Sequence, residues 1–173
     1  MRHVISVLLQ NEVGALTRMT GLFSTRGYNI ETLNVAPTDD PLVSRVTLVV
    51  DASDAAIAQL NTQLAKLIDV VNIHDMTLGE HFELELVIVK MKLKADDFPQ
   101  VTVLARKYGA EVLDDSPVSC TVQLSGKAND VDKFISAAAE IGELSAVARS
   151  GSVAVSKGEI TLSSYAIHQK LTG

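Results

Sequence analysis

The sequence predicts an α+β protein made of two tandem βαββαβ units, and three observations predict it. Short runs that alternate apolar and polar residues, as strands do, are interleaved with runs whose apolar residues recur every three to four positions, as in amphipathic helices. The order strand–helix–strand–strand–helix–strand completes once by residue 78 and again by residue 149. A chain of 173 residues is long enough for two small domains of this kind.

The first strand is the apolar run at residues 3–9, broken by Gln10-Asn11-Glu12-Val13-Gly14. Leu16, Met19 and Phe23 then recur at helical spacing, and Arg26-Gly27 supplies the basic last turn and glycine that end a helix. Residues 28–35 read as a strand, Pro37 to Pro41 as a turn, and residues 43–50 as a strand with Val46, Leu48 and Val50 opposite Arg45 and Thr47. Residues 53–67 form a helix with Ile57, Leu60, Leu64 and Leu67 inward, and residues 70–77 a fourth strand. Gly79-Glu80-His81 is the linker.

The second unit follows the same order. Residues 82–93 are a strand. Asp97 caps a helix with Pro99 in its first turn, Val101, Leu104, Ala105 and Tyr108 as its stripe, and Gly109 at its end. Residues 110–115 and 119–125 are strands around the turn Ser116-Pro117. Asn129 caps a helix carrying Val131, Phe134, Ile135, Ala138 and Ile141, Gly142 ends it, and residues 144–149 close the unit. Residues 151–173 read as an extension, free or docked on a partner. The expected domains are therefore 1–78, 79–157 and a tail at 158–173.

A βαββαβ unit places both helices on one face of a four-stranded antiparallel sheet and leaves the other face open. Units of about 60–80 residues bury little surface alone. In strand 82–93, Phe82, Leu84, Leu86 and Ile88 line one face and Val87, Val89, Met91 and Leu93 the other. Two apolar faces call for cover on both, and the expected cover is a second copy of the chain.

Composition narrows the function. Hydrophobic residues make up 47%, charged residues 21%, and the net charge is −6. Disorder is excluded by the first figure, and the acidic balance disfavours nucleic acid as a partner. No apolar run approaches the ~18 residues that span a bilayer, and the single Cys120 rules out a disulfide framework within the chain and suits a reducing cytoplasm. A cytoplasmic protein without a membrane partner is expected. No catalytic motif emerges. Ser125-Gly126-Lys127 lacks the earlier glycine of a phosphate loop, since position 121 is Thr. Cys120 alternates with apolar residues and reads as core. The acidic pairs Asp39-Asp40, Asp96-Asp97 and Asp114-Asp115 adjoin turns or helix starts. His3, His74, Asp75, Glu80 and His81 lack the spacing of a known metal site, so no metal is expected.

The junction Gln10–Gly14 is the most informative segment. A strand runs straight into a helix N-terminus, whose free N–H groups and positive dipole end suit an anion. Gly14 lacks the Cβ that would hold a ligand off the backbone. Asn11 and Asn29 each offer an amide oxygen and an amide NH₂. Together these suit an amino acid: its carboxylate on the N–H groups of Gly14, Ala15 and Leu16, its ammonium on an Asn oxygen, and its side chain against aliphatic neighbours. The same residues also read as a cap (Asn11), a turn residue (Gly14) and a local bond-former (Asn29).

Residues 6–18 (Ser-Val-Leu-Leu-Gln-Asn-Glu-Val-Gly-Ala-Leu-Thr-Arg), 21–31 (Gly-Leu-Phe-Ser-Thr-Arg-Gly-Tyr-Asn-Ile-Glu) and 35–40 (Val-Ala-Pro-Thr-Asp-Asp) resemble the small regulatory subunits of acetolactate synthase. Tyr108-Gly109, residues 121–126 and residues 147–151 are also similar to that family. The resemblance runs from residue 1 to about 157. It implies an N-terminal ACT domain and a second ferredoxin-like domain. It further implies a homodimer that binds a branched-chain amino acid, usually valine, between ACT domains. The matching effector residues are Asn11, Gly14, Ala15, Leu16, Asn29 and Ile30. A subunit of this family is not catalytic alone. It activates a large catalytic subunit and makes it sensitive to feedback inhibition in branched-chain amino acid biosynthesis. Thiamine diphosphate, magnesium and FAD are expected on that partner and no cofactor on this chain. Val13 departs from the family's usual Pro or Ser, and the stretch after Lys157 is longer than usual. The alternative is a stand-alone amino-acid-sensing ACT protein that regulates another enzyme or transcription.

Overall fold

The computed structural model describes residues 1–159 and 161–162. By internal contacts the chain divides into one unit of Met1–Phe82 with Ser152–Gly173 and a second of Glu83–Gly151.

In the first unit β1 (Arg2–Gln10), β2 (Ile30–Pro37), β3 (Val43–Asp51) and β4 (Val70–Asp75) form one antiparallel sheet in the order β2-β3-β1-β4. Helices α1 (Ala15–Thr25) and α2 (Asp54–Leu64) supply the core side: Ile5, Val7, Leu9, Val46, Leu48 and Val50 of the sheet pack with Ala15, Met19, Phe23, Ile57, Leu60 and Leu64. Each of the larger side chains so buried contributes roughly 1.5–3 kcal/mol. The buried stripe of α1 is Ala15, Met19 and Phe23, spaced by four, and Leu16 faces outward instead of inward. α2 begins as its sequence promises, with Ser53 Oγ accepting from Ala56 N–H at 3.3 Å, but ends at Leu64. Leu67 still packs on the core from the turn beyond.

The second unit repeats the topology. β5 (His81–Lys92), β6 (Glu111–Ser116), β7 (Ser119–Gly126) and β8 (Glu143–Arg149) take the order β6-β7-β5-β8, with α3 (Phe98–Tyr108) and α4 (Ala128–Ile141). Val87, Val89, Met91, Cys120, Val122 and Leu124 meet Val101, Leu104, Val131, Phe134 and Ala138, and Tyr108 stacks edge-on to Phe134 at 5.7 Å. Cys120 is buried, and burial with nearby Asp115 and Asp114 pushes its thiol pKa up, so it is an inert core residue. Two helix ends differ in detail from expectation. Lys127, not Asn129, holds the cap position of α4, and Asp97 holds that of α3 as expected but makes no side-chain cap bond, accepting instead from the Gln100 amide at 3.2 Å. Gly109 ends α3 in the left-handed region at φ 68°. Gly142 ends α4 for another reason: a Cβ there would lie 2.6 Å from the Lys92 carbonyl oxygen.

The outward face of β5 is bare in the single chain: Phe82, Leu84, Leu86 and Ile88 are all exposed. The open face of the first sheet is not. Residues 152–157, which the sequence assigns to the second domain, fold against the first unit. A short strand β9 (Val153–Ser156) runs beside the start of β5, with Lys157 N–H donating to the Glu80 carbonyl at 2.9 Å. Ala154 packs on Val4, Val49 and Met76, and Leu162 lies against Leu8 and Val43. The sequence hides this strand because it is short, its two valines are exposed, and its apolar contact rests on the single side chain of Ala154. Residue 160 and residues 163–173 of the expected 158–173 tail lie outside the described residues.

Candidate functional site

The β1–α1 junction is tightly organised. Asn11 does not cap α1. Its side-chain NH₂ donates to the Pro41 carbonyl at 3.0 Å and its backbone N–H to the Leu42 carbonyl at 2.8 Å, which fastens the junction to the β2–β3 turn. The cap is Gly14, in the left-handed region at φ 86°, with no side-chain cap. That backbone favours glycine by itself. Ala15 is buried, Leu16 and Asn11 are exposed, and Val13 stands fully in solvent. The Ala15 N–H is already drawn to the Glu12 carbonyl at 3.2 Å, so one of the three amides expected to greet a carboxylate is engaged.

A residue the sequence reading did not choose completes this corner. Arg18 Nε and Nη2 donate to Asp69 Oδ2 and Oδ1 at 2.6 and 2.7 Å. Asp69 is buried, and this fork holds its carboxyl below the usual carboxylate range against the opposing effect of burial. Arg18 Nη1 lies 2.8 Å from where a Cβ on Gly14 would sit. The space that glycine leaves at position 14 is thus occupied by a guanidinium. The i, i+4 spacing of Gly14 and Arg18 was the signal available in sequence.

Asn29 and Ile30 stand elsewhere in the same chain. Ile30 pairs with Val50, and Val50 with His3, whereas Gln10 pairs with Val43. The seven steps of β1 from His3 to Gln10 span about 23 Å at ~3.3 Å per residue. One copy of the chain therefore places Asn11, Gly14, Ala15 and Leu16 at one end of the sheet and Asn29 and Ile30 at the other. Asn29 is exposed, and Ile30 is half-buried against the core.

The histidines do not gather. Register sets His74 opposite Ser6, three residues from His3. His3 is buried between two carboxylates, with Nε2 3.2 Å from Asp54 Oδ1 and Nδ1 3.4 Å from Asp75 Oδ2. His81 Nδ1 lies 3.1 Å from the Gly79 carbonyl oxygen. Among the described residues no three His, Cys, Asp or Glu side chains are placed to hold a metal ion. No helix of the described residues is long and apolar enough to cross a membrane. A groove of about 720 Å³ runs along β4 and α2, lined by Asn61, Asn72, His74 and Lys157 among others and by no residue of the β1–α1 junction.

Comparison with known proteins decides the family. Residues 5–72 match the AHAS small subunit-like ACT domain, and residues 84–158 match the small subunit of acetolactate synthase. The chain belongs to the acetolactate synthase small-subunit family. The acetolactate synthase small subunit of Haemophilus influenzae is 44% identical over 159 residues, covering 92% of this chain and 98% of that protein. The acetolactate synthase isozyme 3 small subunit of Escherichia coli is 40% identical over the same shares of each chain. The crystal structure of the acetolactate synthase small subunit from Thermotoga maritima has the same fold, with a TM-score of 0.84 at 24% identity over 92% of this chain and 99% of that one. Two tandem ferredoxin-like units, the first an ACT domain, are thus the architecture of this small-subunit family member.

Proposed function

We propose that this chain is the regulatory small subunit of an acetolactate synthase, not catalytic alone. It binds a branched-chain amino acid, valine first among them, between the ACT domains of two copies. Bound effector then imposes feedback inhibition on the large catalytic subunit, which the small subunit otherwise activates. The catalytic subunit is the partner that carries thiamine diphosphate, magnesium and FAD, and the pair works in the cytoplasm on branched-chain amino acid synthesis.

The observation that carries the reading is the separation within one chain. The groups suited to an amino acid's carboxylate stand about 23 Å along the sheet from Asn29 and Ile30. Only a second copy, with its β2 end brought to this junction, unites the two sets. Coupling of such a site to the catalytic partner is expected at about 1–3 kcal/mol, a 5- to 150-fold effect.

Complementation tests it. Gly14→Asp and Asn29→Ala chains should each fail to bind valine or to confer inhibition when combined with the catalytic subunit. A mixed dimer of the two carries one site with both lesions and one with neither, so mixing should restore valine binding to about half of the mixed dimers' sites. Mixing that restores nothing would put the whole site in one chain.

A further inference from the structure

The Gly14 corner holds a charge that the six expected effector residues do not include. Resting on the effector site proposed above, we propose that Arg18 binds the effector's carboxylate through Nη1 and is the residue by which the pocket tells an α-carboxylate from its neutral analogue.

Three observations support this. Asp69 uses the Nε and Nη2 edge of the guanidinium, and among the described residues Nη1 has no hydrogen-bond partner. The Asp69 fork also fixes the plane of the guanidinium, so Nη1 is held without further loss of side-chain freedom. Nη1 lies against Gly14 at the mouth of α1, 2.8 Å from the missing Cβ. Finally, the amide of Ala15 is already engaged by Glu12, and α1 has no acidic residue in its first turn, Glu12 before it and Asp69 being the carboxylates that act on the cation. An anion seated at this helix end meets the dipole and the open Nη1 edge of the guanidinium together.

The same geometry suggests how occupancy is reported. Asp69 is held by Arg18 through its side chain and by Gln10 N–H through its carbonyl at 2.8 Å, just before β4 begins. A carboxylate on Nη1 would share the cation with Asp69 and load that link.

Calorimetry on the full chain, with valine and valinamide as probes, tests the proposal. The wild type should bind valine about 10- to 100-fold more tightly than valinamide, as expected for loss of a charge-assisted contact. Arg18→Gln should weaken valine about 10- to 100-fold and leave valinamide within about twofold, so that discrimination collapses. Arg18→Lys should retain part of it. The Arg18→Gln/Asp69→Asn pair keeps a neutral hydrogen bond at the buried Asp69 position and should behave as Arg18→Gln does, which covers failure of the single variant to fold. Equal losses for both probes, or valine affinity unchanged in Arg18→Gln, would reduce Arg18 to a structural clamp and overturn the proposal. A folded wild type that binds neither valine, leucine nor isoleucine would overturn the effector site itself, and Arg18's role with it.

Discussion

Each unit contains one arginine that grips a buried carboxylate side-on, and the two differ in what the third nitrogen does. In the second unit Arg149 Nε and Nη2 hold Glu85 at 2.8 Å each, and Nη1 holds Asp132 of α4, also at 2.8 Å. In the first unit Arg18 holds Asp69 in the same way, but its Nη1 faces Gly14. The strand-to-helix junctions differ in the same sense. α3 is preceded by Asp96 and Asp97, whereas α1 starts at a bare glycine beneath a guanidinium. Two copies of one topology therefore place different charged groups at the same junction: Asp96 and Asp97 before α3, and Glu12 with the Arg18–Asp69 pair at α1. The fold supplies the platform and a few side chains set the charge pattern on it.

The comparison can be broken most forcefully at the closed fork. Arg149→Ala leaves Glu85 buried without a counter-charge and should cost about 3–5 kcal/mol in urea denaturation. Glu85→Gln with Arg149→Met should recover most of it, and a full loss in the double variant would deny that the stranded charge is the cause. The close approach at Gly142 comes next. Gly142→Ala should cost about 1–3 kcal/mol by overpacking against Lys92. A neutral result by thermal melting would show that the α4 end slides freely. Asp132→Ala removes only the exposed third arm and should cost less than about 1 kcal/mol. It converts Arg149 to the state of Arg18, so valine binding, unchanged in calorimetry, should show that a free Nη1 alone makes no site without the glycine beside it.

The smallest effect lies in pH. The Asp69 carboxyl has a folded pKa below its ordinary 3.8, because Arg18 donates to it. Protonation therefore favours the unfolded chain. The stabilisation is complete above pH 3.8 and is lost as pH falls through the lower folded value. Asp69→Asn should flatten the melting temperature of the first unit in that acid window. A slope that persists would assign it to another carboxylate, such as Asp51 beside the N-terminal amine.

Much of this architecture was legible in sequence, because periodicity reports which face of an element is buried. The alternation of Val46, Leu48 and Val50 and the stripe of Ile57, Leu60 and Leu64 match the core residue for residue. The misreadings occur where one contact outweighs the pattern. Leu16 is apolar at helical spacing but yields its place to Ala15, the first residue after the Gly14 cap. Asn129 has cap chemistry, yet α4 starts two residues earlier. The candidate effector residues were chosen by residue type. Their distribution over two ends of the sheet follows from strand register, which local sequence does not encode. Arg18 was missed because its role depends on Asp69, distant in sequence and joined to it only by the fold.

β9 also sets a delay in the life of the chain. Arg2 and its contact Ser152 are 150 residues apart, an interval of about 8–30 s at ribosomal rates of ~5–20 residues per second. For that time Val4 has been made and its cover has not, and Val49 and Met76 join it for the later part. Every newly made chain passes through a stage with one greasy sheet face bare, when chaperones and neighbouring nascent chains have their best access to it.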